Sequence, residues 1–303
     1  MAVVSITPPS DLSVVDECAD WLELAALVAD DGNASAGDLE RIIRRGGVFD
    51  SARNEDDAIE AHVSAVLFSL SERASLVADH YPFMIVGTKV QKRDLYSDLF
   101  LAYLFCLCLS YFKRRHPSVA GVKPRLLFEE VSAAALEGYL GTADSLVFGT
   151  RRANTFSKAA FKDAVDALAR MLGEGEGFSD QPTLSKKDDH VDVVAVKHFP
   201  DKFEGKIVVF GQCATGENWD SKLIELDPEA FCRQWMRAAV ASTPALLKSF
   251  FVPFIVPKNR WRYACNYAGV LFERLRVARY APCGSSIKNS HAQMQAWITA
   301  CLV

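Results

Sequence analysis

DVVAVKHFPDKFEGKIVVFGQCATGENWDSK, Asp192 to Lys222, is two β-branched runs joined by a polar turn, with an acid opening the first run and Gln212-Cys213 closing the second. Val191, Val193, Val194 and Val196, then Ile207, Val208, Val209 and Phe210, are the dense apolar runs expected of strands buried on both faces. The stretch predicts two neighbouring strands at the centre of a mixed sheet. A carboxylate at the mouth of such a strand needs a reason, because an ionised acid is costly to bury unless it is paired, hydrogen-bonded or metal-bound. Asp192 is either a strand-end residue meeting solvent or part of a site.

An acid on one strand, with Gln212 about twenty residues later at the end of the next, suggests a hard-metal site built from oxygen ligands. Magnesium suits such a site, since it takes few carboxylates and keeps several waters and phosphate oxygens. Manganese is the alternative ion. The arrangement resembles the PD-(D/E)XK superfamily of restriction-endonuclease-like phosphodiesterases, in a variant where Gln stands in for the second acid. Upstream, RLLFEEVSAAALEGYLG (Arg125 to Gly141) is similar to that superfamily's first core helix. Downstream, FFVPFIVP (Phe250 to Pro257) and AGVLFERLRVARY (Ala268 to Tyr280) resemble its later strand and final helix. The resemblance covers Lys123 to Tyr280, about half the chain, through short motifs.

The resemblance implies an α/β fold: a mainly helical N-terminal region over 1–120, then a nuclease domain over 121–303 with a mixed central sheet flanked by helices. It also implies a magnesium-dependent endonuclease cleaving DNA in a prokaryotic antiviral defence or restriction system. Its metal ligands would be Glu129 rather than the neighbouring Glu130, Asp192, the Gln212 side chain and the Cys213 carbonyl. The superfamily's lysine normally lies two residues after the acid or Gln, and here that position is Ala214. Lys222 resembles a migrated lysine, with Lys197 as its competitor. A cation there would orient the attacking water and offset charge developing on the phosphate.

Each residue also has an ordinary reading. Glu129 can be a solvated helix-face acid, Gln212 a loop hydrogen-bonder, Lys222 one of many surface lysines, and Glu217 a turn residue.

The bulk properties bound the alternatives. A chain of 303 residues with 50% hydrophobic and 24% charged residues can bury a substantial core and is not disordered. Net charge is −4, so there is no global basic field for nucleic acid. DNA contact would rely on local clusters such as Lys89, Lys92 and Arg93, or Lys113, Arg114, Arg115 and His116. The eight cysteines show no CxxC pair, which fits reduced core thiols better than a zinc site or a disulfide framework. His190 and His198 flank Asp192 without zinc-ligand spacing. The N-terminus lacks the charge and apolar pattern of a secretory signal, and Leu99 to Leu109 is too short to span a bilayer. These features lead to the expectation of a cytoplasmic protein with no membrane partner, and compatible with a homo-oligomer.

Along the chain, Asp11 to about Arg45 has helical spacing with a polar turn at Asp30 to Asn33, and Gly46-Gly47 closes the second helix. Glu55 to Ala78 is a further helix with Ile59, Val63, Val66, Leu67 and Leu70 in one stripe. YPFMIVGTKVQKR reads as a strand and turn before an apolar helix from Leu95 to Tyr111, a lead-in that resembles defence-associated members of the superfamily. A helix spans Lys158 to Leu172 and ends in the loop GEGEGFSDQ. Two functions remain open. One is a metal-dependent nuclease. The other is a degenerate nuclease fold serving as a binding or regulatory subunit, alongside other subunits of a defence system.

Overall fold

In chain order the helices are α1 (Val15–Val28), α2 (Ala36–Gly46), α3 (Glu55–Val77), α4 (Leu101–Phe112), α5 (Pro124–Leu140), α6 (Lys158–Leu172), α7 (Pro228–Trp235), α8 (Lys258–Ala268), α9 (Arg274–Tyr280) and α10 (His291–Leu302). The strands are β1 (Asn33–Ser35), β2 (Phe83–Val86), β3 (Lys89–Lys92), β4 (Asp144–Val147), β5 (Val193–Lys197), β6 (Ile207–Cys213), β7 (Leu246–Phe251) and β8 (Val270–Phe272). This computed structural model describes residues 6–50, 53–94, 97–113, 117–141, 143–148, 158–179, 190–240 and 246–302. Among them, no helix is long and apolar enough to cross a membrane.

The two valine-rich runs pair as expected. β5 and β6 are antiparallel neighbours at the centre of a five-stranded sheet of order β4-β5-β6-β7-β8, in which β4 is also antiparallel while β7 and β8 run parallel to β6. Alternation along β6 sorts side chains onto two faces. Val209 packs into a core built with α5, whereas Val208 and Phe210 pack into a second core under α6 and α7. Phe250 and Leu271 extend that second face beneath α8.

The N-terminal region adds a small antiparallel sheet of order β1-β3-β2 to its helices. Ser35 and Asp38 form a reciprocal capping box at the start of α2, and Gly47 ends that helix in a left-handed conformation. α4 is apolar on all sides, and Leu101 to Leu109 are buried throughout, as such a helix requires. The division near residue 120 is not a division of cores. One hydrophobic cluster runs from α1, α3 and α4 through α5 to α9, α10 and the α5 face of the sheet.

One expected element differs. Ala268 to Tyr280 is not a single final helix but the edge strand β8 followed by α9, and the last helix is α10. Gly269, with φ 68°, breaks the helical path, and a side chain there would collide with the Lys248 backbone carbonyl. Close packing is similar at Gly138 on α5, where an added Cβ would fall on the Tyr280 carbonyl oxygen, well inside van der Waals contact. Because the obstacle is backbone, Gly138→Ala should destabilise the protein by about 2–3 kcal/mol. Denaturant titration checks this, and an unchanged midpoint would show that α5 and the turn after α9 can move apart freely.

Candidate functional site

Asp192 lies just before β5, and its position follows from an irregularity in the ladder. The register pairs Val193 with Gly211, yet the Asp192 N–H also donates to the Gly211 carbonyl, at 2.9 Å. Two residues of one strand thus face one residue of the other, which is a β-bulge. The burial pattern carries the same phase slip: Val191 belongs to the core under α6 and Val193 to the core with α5, although residues two apart on a regular strand share a face. His190, immediately before, has φ 65°, an uncommon conformation for a residue with a side chain.

The Asp192 carboxylate accepts a hydrogen bond from the Cys213 N–H at 2.7 Å, which fixes its orientation at the end of β6. The N–H and C=O of one strand residue project toward the same neighbour, so the Cys213 carbonyl is directed to this side as well. α5 packs over β5 and β6 and carries Glu129 to the same place. Burial, then the negative charges of Asp192 and Glu129, push the Cys213 thiol well above its usual range. In its protonated form the thiol is a poor nucleophile. Both carboxylates bear on this one sulfur. Glu130, by contrast, is committed to structure, accepting from the Ser290 hydroxyl at 2.7 Å and so joining α5 to the chain before α10.

The other expected site residues lie differently. Gln212 alternates with Val208 and Phe210 and so faces away from Glu129. Its Nε2 donates to Glu225 Oε2 at 2.7 Å, and His190 Nδ1 lies 3.2 Å from that same oxygen. Gln212 Oε1 is buried without a hydrogen-bond partner among the described residues. The expectation that Glu129, Asp192 and Gln212 act side by side is therefore corrected: the alternation of β6 and the bulge before β5 leave Gln212 on the opposite face from the two acids. Lys222 ends a short 3-10 turn, Trp219–Lys222. Trp219 and Leu223 anchor that turn against Phe250, on the Gln212 face. The Lys222 ammonium makes no hydrogen bond or ion pair among the described residues. Ala214 is buried under Trp219 and Leu223, so the usual lysine position is filled by apolar packing.

Lys197 is removed from the site. It lies at the far end of β5, about 16 Å from Asp192 along the strand, and donates to the Gly141 carbonyl after α5. Two residues of the basic clusters are also engaged. Lys92 reaches the carbonyl of Ala29 at the end of α1, and Lys113 pairs with Glu217 at 3.0 Å. Arg114, Arg115 and His116 lie outside the described residues. Glu225 escapes sequence reasoning because nothing in its turn sets it apart, whereas His190 carries one weak signal, its closeness to Asp192.

Among the described residues no group of three or more His, Cys, Asp or Glu side chains is arranged to hold a metal. Two carboxylates and a backbone carbonyl fit only an ion content with few protein ligands and several waters, which describes magnesium better than zinc. Comparisons with family models, curated proteins and solved structures found no match.

Proposed function

We propose that the protein is a magnesium-dependent phosphodiesterase acting on DNA, with Glu129, Asp192 and the Cys213 carbonyl as the protein share of the metal site. One observation carries this reading: a β-bulge turns the Asp192 carboxylate onto the α5 face, where it and Glu129 bracket Cys213. Bulges beside active sites serve to re-aim a side chain in this way. Magnesium, when bound, supplies Lewis-acid stabilisation of the phosphate and lowers the pKa of a water. The chain's own contributions are distinct. The Cys213 N–H orients Asp192, α5 fixes Glu129, and Gln212 holds Glu225 and His190 on the far face. Lys222 stands on that same Gln212 face, across β6 from the two carboxylates.

A second reading, a nuclease fold retained for binding alone, is favoured by the engagement of Gln212 with Glu225 and by the burial of Ala214 where a lysine would stand. Incubating the protein with plasmid and single-stranded DNA, with magnesium or with chelator, separates the two. Magnesium-dependent cleavage supports the first, and DNA binding without cleavage supports the second. Within the first reading, Lys222→Ala should leave kcat within about twofold of the parent, because the lysine stands on the opposite face of β6 from the two carboxylates. Lys197→Ala, remote from the site, should leave the rate unchanged. Loss of cleavage in a folded Lys222→Ala protein would place the nucleophile on the Gln212 face instead.

A further inference from the structure

A cleft of about 540 Å³ opens between α3 of the N-terminal region and the α8–β8–α9 segment, and its Phe272 lies two strands across the sheet from Cys213. Its volume is within the roughly 300–1,000 Å³ of small-molecule sites. Tyr139, in its wall, lies ten residues along α5 from Glu129, about 15 Å at the rise of a helix.

The lining has a consistent chemistry. Tyr139 meets Phe272 and Tyr280 edge-on, with centroids 5.4 and 5.2 Å apart, and Trp261 lies against the Arg276 guanidinium at 4.7 Å. These rings give the cleft aromatic faces. Its charges are unbalanced. Lys258 and Glu72 neutralise each other at 2.7 Å, and Arg73 is paired with acids of α1. Arg276 and Arg279 bond only to the backbone carbonyls of Leu271 and Val77 and make no ion pair among the described residues. Two uncompensated guanidiniums match a dianion better than a carboxylate, and a phosphate monoester carries about −1.5 to −2 at neutral pH.

A third group, Glu273, braces the wall. Glu273 lines the cleft and is 3% exposed; its Oε1 caps α9 by accepting from the Arg276 N–H, while Oε2 is buried with no hydrogen-bond partner among the described residues. Burial pushes this carboxyl up to about 7, which reduces its negative charge beside the two guanidiniums near neutral pH.

We propose that this cleft binds a small molecule joining a planar aromatic ring to a phosphate monoester, of the nucleoside monophosphate class, with the ring on Trp261 and the Tyr139 cluster and the phosphate between Arg276 and Arg279. The site is independent of the phosphodiesterase reading and stands or falls separately from it.

Calorimetric titration of the intact protein with AMP, phenyl phosphate, adenosine and inorganic phosphate tests the proposal. AMP should bind at least about tenfold more tightly than adenosine or inorganic phosphate, since both the stacked ring and the paired anion contribute. Comparable binding of phenyl phosphate would assign recognition to ring and phosphate, whereas much weaker binding would assign it to the nucleoside as well; either agrees with the proposal. Arg279→Gln should weaken AMP about tenfold while leaving adenosine unchanged. Trp261→Leu, as a second variant, should weaken AMP but not inorganic phosphate, and circular dichroism confirms that each variant is folded. No AMP binding up to about 1 mM, AMP binding untouched in both folded variants, or inorganic phosphate binding as tightly as AMP would overturn it.

Discussion

Asp192→Ala should abolish magnesium-dependent DNA cleavage while leaving the protein folded. The ladder itself holds this carboxylate in place, through the bulge opposite Gly211 and the N–H of Cys213. Losing a principal metal ligand removes about 4 kcal/mol of transition-state stabilisation, roughly a thousandfold in rate. The strand interior does not depend on it, because Val193 to Val196 remain buried and paired with β6. Circular dichroism of the variant should match the parent. A folded Asp192→Ala protein that cleaves at the parental rate would mean that the bulge is architectural only.

The second large effect concerns stability. Asp20→Ala should lower the unfolding free energy by about 3–5 kcal/mol, a fall in Tm of roughly 6–15 °C. Asp20 on α1 receives both Nη atoms of Arg274 at 2.7 Å and one Nη of Arg73 at 2.7 Å, so it joins α1, α3 and α9. Beside it, Glu23 accepts from the hydroxyls of Tyr81 and Tyr103, at 2.6 and 2.7 Å. Both guanidiniums are buried, and removing Asp20 leaves them under-compensated in a low-dielectric interior. Replacing both partners, as Asp20→Leu with Arg274→Met, should cost less than either single change, because no buried charge is stranded.

The pH dependence has a definite sign. Burial alone would raise the Asp20 carboxyl, but the charges and hydrogen bonds of Arg274 and Arg73 outweigh it and hold the group below 3.8. Its stabilisation is therefore present above that value and is lost as pH falls through the lower folded-state value. Asp20→Asn should flatten this acid limb of the stability curve. A loss under about 1 kcal/mol in Asp20→Ala at neutral pH would show that Glu23 and water replace the bridge.

Parts of this architecture are legible in the chain because they depend on local pattern. The β5–β6 pair follows from two β-branched runs around a polar turn, and α6 spans Lys158 to Leu172 as its spacing implies. The face assignments are not legible in the same way. A bulge is a property of two strands in register, so nothing in DVVAV reveals that Asp192 and Val193 both oppose Gly211. That slip puts Asp192 with Glu129 and leaves Gln212 to Glu225. The ion-pair network is hidden for a different reason: Asp20, Glu23, Arg73 and Arg274 each look like solvated helix residues, and only the packing of α1, α3 and α9 brings them together. The break of Ala268 to Tyr280 into β8 and α9 depends likewise on a contact, the close approach of Gly269 to Lys248.

The proposed metal site would hold one divalent ion on the α5 face between Asp192 and Glu129. Crystals soaked in manganese and measured at its absorption edge test this most directly. An anomalous peak is expected within coordination distance, about 2.1–2.3 Å, of oxygens from both carboxylates, with no such peak in Asp192→Ala crystals. A peak confined to Glu225 and His190 on the opposite face, or none on either face at saturating manganese, would contradict it.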